Sequence, residues 1–345
     1  MSIINKIKYL ILAYRIGYKA KLLKSLFPIF KHLFLKILYN QPPIGAELGI
    51  TYRCNANCHH CSIYNYKKNI NEELTTEQIK YIIDQVALIG CIKISLFGGE
   101  PLLRTDIDQI VAYAYGKHKL SVSIDTNAIL LTEEKIQCLK KSGISNINIS
   151  IDYPNAEGHD KFRGVKGCFD HAISGIDMLK RAGIPCIVQV FATHENIANG
   201  NLIKVINLAK QHQAVAVKIT FPMLSGKLLE KSEISLSQND KNEVRNLLQP
   251  GFSFIECLAD PLRISCIGLD KKLIFISPYG DIQLCPVVPL SFGNILNTNL
   301  RNIRKKMVQH KMFTNNKKQT CDINDFLREY YNDPDVKPLF KNENN

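Results

Sequence analysis

Between residues 45 and about 221 the chain alternates short β-rich runs with helical periods. Apolar and β-branched residues cluster at 46–52, 92–97, 120–124, 147–151, 187–191 and 216–220. Between these runs, apolar positions recur at three- and four-residue spacing over 76–89, 106–115, 132–142, 169–182 and 202–212. Strands alternating with helices at these connection lengths predict an α/β fold of parallel strands joined by right-handed crossovers. Six such strands predict a partial (β/α)6 barrel or an open doubly wound sheet. In either, chemistry belongs at the carboxyl ends of the strands.

The flanks follow different patterns. Before the first strand, Ile3, Ile4, Ile7, Leu10, Ile11 and Tyr14 share one helical stripe, and Leu22, Leu23, Leu26, Phe27, Phe30, Phe34 and Leu38 form another around Pro28. Such a basic amphipathic segment either lies in an anionic membrane interface or packs as a cap on the main domain. From 225 to 250 the chain is polar, as a bridging segment would be. The runs 272–277 and 281–284, joined by Pro278-Tyr279-Gly280, predict a hairpin in a small cysteine-bearing α+β domain. The expected organisation is a helical segment over 1–44, the barrel over 45–224, a linker and cysteine-bearing domain over 225–331, and a disordered Asn- and Lys-containing tail over 332–345.

Charge sharpens this division. The 345 residues carry 44 Lys+Arg against 31 Asp+Glu, a net charge of +13. Eight of the basic residues (Lys6, Lys8, Arg15, Lys19, Lys21, Lys24, Lys31, Lys36) precede Glu47, the first acidic one, so 13 − 8 leaves +5 for the remainder. The excess belongs to the N-terminus and gives no support for a nucleic-acid partner. No stretch reads as a cleavable secretory signal or as a membrane span. The expected location is therefore cytoplasmic, with peripheral contact at the inner face of the membrane through residues 1–40 as an option. In a reducing compartment, the 11 cysteines are metal ligands, catalytic groups or core residues rather than disulfides.

Three of those cysteines stand directly after the first strand, in Thr51-Tyr52-Arg53-Cys54-Asn55-Ala56-Asn57-Cys58-His59-His60-Cys61. Thiolates at spacings of four and three residues can wrap one compact centre from a single loop. A cubane iron–sulfur cluster ordinarily takes four cysteines, so three leave one iron open to a ligand. A zinc site completed by His59 or His60, or three unrelated core cysteines, are the competing readings. Phe97-Gly98-Gly99-Glu100-Pro101 follows the second strand, at the same end of the sheet. Its glycines admit close approach of a ligand, and their carbonyls can accept from an ammonium group. An ordinary turn is the plainer reading of that motif alone.

Together, the C-x3-C-x2-C loop and Gly-Gly-Glu-Pro strongly resemble the radical S-adenosylmethionine (SAM) superfamily over roughly residues 46–222. The resemblance implies that Cys54, Cys58 and Cys61 hold a [4Fe–4S] cluster whose open iron is chelated by SAM. It implies that Gly98, Gly99 and Glu100 contact the methionine amino group. An electron then splits SAM into methionine and a 5′-deoxyadenosyl radical, which takes hydrogen from a substrate. His60 stands where an aromatic residue is common in the family. Its backbone is expected to meet the adenine, with metal ligation as the lesser option. Ser150-Ile151-Asp152 and the stretch from His159 to Gly164 resemble the part of peptide-modifying members that holds the SAM carboxylate and ribose. Ser150 and Arg163 are thereby implied as carboxylate contacts; the plainer alternative for Arg163 is a surface residue in a loop. Asp152 either contacts SAM or caps the turn, and Asn127 faces the pocket.

Cys257, Cys266, Cys285 and Cys321 form a second group, and C-x13-G-x4-C from Cys266 through Gly280 to Cys285 resembles the opening of a SPASM domain. The downstream cysteines of that domain are missing, which indicates the shortened twitch form with one auxiliary cluster. A structural zinc is the competing reading. If Cys257 is a core residue instead, the auxiliary cluster would keep an open site. Cys91, Cys138, Cys168 and Cys186 lie in or beside apolar patterns and are expected in the core, with a small reservation for Cys168. Three functions follow: a radical SAM enzyme modifying a peptide or protein, which the SPASM-like half favours; one acting on a membrane lipid or isoprenoid, which the basic N-terminus favours; and, remotely, a non-enzymatic zinc-binding interaction protein. The chemistry implies an electron donor such as ferredoxin or flavodoxin.

Overall fold

The computed structural model describes residues 42–66, 70–229, 231, 234–255, 259–260, 263–266, 268–314 and 328–339. The expected amphipathic segment, Cys257 and Cys321 lie outside the described residues, as does the side chain of Cys266. Six strands and their helices alternate: β1 (Gly45–Thr51), α1 (Thr76–Leu88), β2 (Lys93–Gly98), α2 (Ile107–His118), β3 (Ser121–Thr126), α3 (Glu133–Ser142), β4 (Asn146–Ser150), α4 (Ala156–Arg163), α5 (Cys168–Ala182), β5 (Cys186–Phe191), α6 (His194–Ala198), α7 (Asn201–Gln211) and β6 (Ala216–Thr220). After them come α8 (Gln238–Leu247), β7 (Ser253–Ile255), β8 (Ala259–Asp260), β9 (Arg263–Cys266), β10 (Leu273–Ile276), β11 (Asp281–Gln283), β12 (Leu290–Asn294), α9 (Leu300–Gln309), α10 (Lys311–Thr314) and β13 (Lys337–Pro338).

Local chemistry sets the helix ends. Thr75 and Gln78 close a capping box on α1, Thr132 caps α3, and Asn155 accepts from the Gly158 amide at the start of α4. Helices α3, α4 and α5 each end on a left-handed glycine, at Gly143, Gly164 and Gly183.

The strands form one sheet in the order β13-β12-β11-β10-β1-β2-β3-β4-β5-β6-β7. From β10 through β7 all neighbours are parallel, and β11, β12 and β13 are added antiparallel. The sheet is not closed, so the barrel is partial. The C-terminal hairpin is therefore no separate layer: β10 lies beside β1, with Ala46 opposite Ile274 and Leu48 opposite Ile276.

Two faces follow from the strand period of two. Val122, Ile124, Ile147, Ile149, Val188, Val190, Val217 and Ile219 join the large core shared with helices α1 to α3 and α5 to α8. The alternate residues, among them Asp125, Asn148, Gln189, Phe191 and Lys218, point to the opposite, inner face.

The segment expected to be disordered after residue 331 is in part built into the fold. Residues 332–339 are described, Lys337 and Pro338 pair with Ser291 and Leu290, and Leu339 packs against the cluster of Tyr52, Ile63 and Tyr66. What holds it is Asp333, buried beside Lys311 Nζ at 2.7 Å and His310 Nε2 at 3.4 Å. The Lys311 ammonium holds the Asp333 carboxyl down at about 2, against 3.8 for a free one. A carboxylate depressed in the folded state stabilises above the unfolded value and stops doing so as pH falls through the folded one. Asp333→Asn should therefore lower the unfolding free energy by about 1 kcal/mol at pH 6. That gap should close as pH falls from about 4 towards 2, read by denaturant titration at each pH.

Candidate active site at the carboxyl ends of the strands

The loop from Cys54 to Cys61 leaves β1 and is held to its surroundings by main-chain bonds. At its entry the Gly99 amide donates to Thr51 O and the Glu100 amide to Arg53 O, each at 2.8 Å. This approach excludes side chains: a Cβ on Gly98 would lie 1.9 Å from Thr51 O, and one on Gly99 2.0 Å from Arg53 O. In mid-loop the Asn57 and His59 amides donate to the carbonyls of Arg163 and Phe162, the last residues of α4. At the exit, Cys61 O accepts from the Lys227 amide at 3.0 Å. Glu73 braces the entry by accepting from the guanidinium of Arg53 and the hydroxyl of Thr51.

Glu100 ties β2 to β3. It is fully buried. Its Oε1 accepts from the Leu102 amide and the Thr126 hydroxyl, and its Oε2 from the Asn127 amide at 2.9 Å. The Thr126 oxygen itself accepts from the Ala128 amide, so its proton goes to Glu100. Burial raises the Glu100 carboxyl, and these three donors oppose the shift. With no exposed atom, Glu100 offers nothing directly to a ligand in this arrangement; it is a positioning residue. Asn127, also buried, donates from Nδ2 to Asn55 Oδ1 at 2.8 Å and so joins the knot to the cysteine loop.

A second knot stands under Cys58. Arg163 is not in a surface loop but closes α4, only 8% exposed. Its Nε donates to Asp152 Oδ2 at 2.6 Å, and its Nη1 lies 3.8 Å from Cys58 Sγ. Asp152 also accepts from the Phe191 amide. Burial alone would raise its carboxyl, but Arg163 overrides this and holds it low. The adjoining histidines are neutral. Burial first, then the Arg163 charge, lowers His60 to about 3, and burial lowers His159 to about 4. His159 Nδ1 accepts from the Asp152 amide, which places its proton on Nε2.

His60 is sandwiched between Phe162 and Phe191, with ring centroids 4.6 and 4.4 Å apart. Its side chain thus takes the packing role of an aromatic residue. Ser150 ends β4, partly exposed and opposite Gln189 of β5. Cys285 is buried after β11, beside Tyr66. Cys91, Cys168 and Cys186 are buried as expected, but Cys138 is exposed, because it falls on the solvent side of α3. Cys168 lies close to the site, its thiol 3.8 Å from Asn127 O. The sequence reading missed Glu73, Phe162 and Phe191. For Phe162 and Phe191 the only signal was an aromatic at the end of α4 and another at the end of β5.

The donor set suits a cluster better than a single ion. Three thiols on one loop are one short of the four cysteines that a cubane cluster ordinarily takes, and among the described residues no fourth zinc ligand stands in contact with Cys54 or Cys58.

Two substitutions test this architecture. Glu100→Gln must turn an amide NH2 towards one of three donors and should cost about 1–3 kcal/mol in denaturant unfolding. His60→Phe preserves the stack and removes a buried Nδ1 that has no partner among the described residues. It should keep the parent's iron content and melting temperature; loss of iron would make His60 a ligand.

The sequence profile of the radical SAM superfamily matches residues 48–206. The AdoMet-dependent heme synthase of Methanosarcina barkeri is 30% identical over 282 residues, covering 74% of this chain and 80% of the relative. The mycofactocin maturase MftC of Mycolicibacterium smegmatis is 29% identical over 74% of this chain and 68% of its own length. Among solved structures, Streptococcus suis SuiB bound to its precursor peptide SuiA superposes with a TM-score of 0.63 at 17% identity, over 79% of this chain and 67% of that one; this likeness shows the fold. The cysteine loop docked on a Gly-Gly corner and the homology together make the chain a member of the radical SAM superfamily, an enzyme that uses a [4Fe–4S] cluster and S-adenosylmethionine.

Proposed function

We propose that the enzyme modifies a peptide or protein, with Cys54, Cys58 and Cys61 holding the SAM-binding cluster. When bound, that pair of cofactors supplies a radical able to take hydrogen from an unactivated carbon. The chain's own residues position it. Main-chain bonds at Thr51, Arg53, Asn57, His59 and Cys61 fix the thiols. Arg163 has its Nε taken by Asp152 and its Nη1 beside Cys58, while Nη2 carries no hydrogen bond among the described residues and would hold the SAM carboxylate together with Ser150. The Gly98 and Gly99 carbonyls serve the methionine amino group. Asn127 and the backbone of His60 border the same space, and Asp152 acts through Arg163.

The observation that carries the peptide reading is the inner face of the sheet. Asp125, Asn146, Asn148 and Lys218 line it with buried or half-buried polar groups. Such a surface favours a substrate rich in hydrogen-bonding groups over an isoprenoid chain. Relatives named as a mycofactocin maturase, a PqqA peptide cyclase and the subtilosin biosynthesis protein AlbA agree. A heme-type substrate is the second reading, since the Methanosarcina relative carries that name at 30% identity. Among the described residues no helix is long and apolar enough to cross a membrane; the lipid reading rests on residues 1–40 alone.

Cys257, Cys266, Cys285 and Cys321 are assigned to an auxiliary cluster in a twitch-type module over 225–331, and a ferredoxin- or flavodoxin-like donor to the reducing electron. After anaerobic reconstitution, the parent should hold about eight irons and the Cys54→Ala/Cys58→Ala/Cys61→Ala variant about four, with SAM cleavage lost. About four irons and one zinc in the parent would make the C-terminal centre structural. For the substrate, SAM cleavage should be stimulated by short precursor peptides encoded beside the gene; stimulation by porphyrins alone would favour the second reading.

A further inference from the structure

The cysteine loop has a third support besides the Gly-Gly corner and the end of α4. After β6 the chain turns back over the loop, and Gly226 meets it so closely that a Cβ there would lie 2.1 Å from Cys61 O. Lys227, the next residue, then grips the loop on both sides of Cys58-His59-His60-Cys61. Its amide donates to Cys61 O at 3.0 Å, while its Nζ donates to Asn57 Oδ1 at 2.5 Å and to Asn57 O at 3.3 Å. The ammonium also stands 4.9 Å from the ring centroid of Tyr64, just past Cys61. Asn57 is itself held from the other side, through its amide, by Arg163 O. The ammonium therefore has a fixed place, one residue from Cys58.

Lys227 differs from the other two cations at the loop. Arg53 is matched by Glu73, and Arg163 by Asp152. Lys227 has no carboxylate partner among the described residues, and both oxygens that hold its Nζ are neutral. Holding those oxygens needs an N–H donor but no charge. The residue is half-buried, so water screens its field only in part. Three thiolates beside it make the bound centre net negative, and each electron taken up adds to that charge. Net charge and surroundings of this kind set the reduction potential of an iron–sulfur cluster.

We infer that Lys227 is a positioning residue that raises the reduction potential of the cluster held by Cys54, Cys58 and Cys61. Its fixed, unmatched ammonium favours the state that carries one more electron. That electron comes from an external reductant; no bond forms or breaks, and Lys227 keeps its protons. This rests on the assignment of those three cysteines as the cluster's ligands, and it holds whatever substrate the enzyme takes.

The test uses the full chain reconstituted without oxygen and titrated with dithionite in the presence of redox mediators. The readout is the electron paramagnetic resonance signal that changes when SAM is added, which marks the cluster with the open iron. Lys227→Gln keeps an N–H donor for Asn57 and removes the charge; Lys227→Arg keeps both. At a fixed potential, Lys227→Gln should lower the ratio of reduced to oxidised cluster about ten-fold, which for one electron is about 59 mV. Lys227→Arg should stay within about two-fold of the parent, since its charge is permanent. Both variants should keep the parent's iron content. Equal potentials in the parent and Lys227→Gln, or equal shifts in the two variants, would overturn the inference. Loss of iron from Lys227→Gln would make the residue a structural clip of the loop and also overturn it. A SAM-sensitive signal that persists in the Cys54→Ala/Cys58→Ala/Cys61→Ala variant would instead remove the ligand assignment on which the inference rests.

Discussion

Everything at the functional end of the sheet depends on how closely two pieces of backbone meet. The carbonyls of Thr51 and Arg53 sit where the Cβ atoms of residues 98 and 99 would otherwise be. Two glycines are therefore required by chain against chain, before any ligand is considered. From that contact the cysteine loop takes its direction. It continues onto the last carbonyls of α4, groups a helix leaves without internal partners. The loop thus meets a need of the helix while the helix fixes the loop.

Charge at the site follows from burial. Asp152 and Arg163 are both sequestered, and breaking such a pair by removing one partner costs far more than the pair contributes in net stability. Their arrangement therefore serves placement: Asp152 orients the guanidinium, and the guanidinium reaches Cys58. Burial above all keeps His60 and His159 uncharged across the neutral range, lowering them to about 3 and about 4. Glu100 performs the equivalent task two strands away, spending its oxygens on the end of β3 and on the Leu102 amide in its own turn after β2.

Much of this was legible in the sequence, for identifiable reasons. The six strands and five of the helices announced themselves through periodicity, since each buries one face against a single large core. The cysteine loop and the Gly-Gly corner were legible because their residue types have few other uses. What stayed hidden depended on distant pairing. Helix α4 is short and mostly polar, so its eight residues carried almost no apolar period. Helix α8 has Val244 and little else on its buried side, and read as a polar linker. The addition of β10 to β1 could not be foreseen, because both strands have satisfactory local patterns and only register joins them. Glu73 gave no signal: its two partners lie some twenty residues upstream, across an intervening loop.

The main-chain docking of the cysteine loop has a consequence far along the chain. In small metal-folded domains the ion supplies the free energy of folding, so losing it means unfolding. Here the loop is also borne by the protein's own peptide groups, with the amides of Asn57 and His59 ending on α4 and Cys61 O on the Lys227 amide. The direction of the thiols is thus set in part by residues more than a hundred positions further along the chain. A substitution that shifts the last turn of α4 would therefore move the cysteine loop without touching any cysteine.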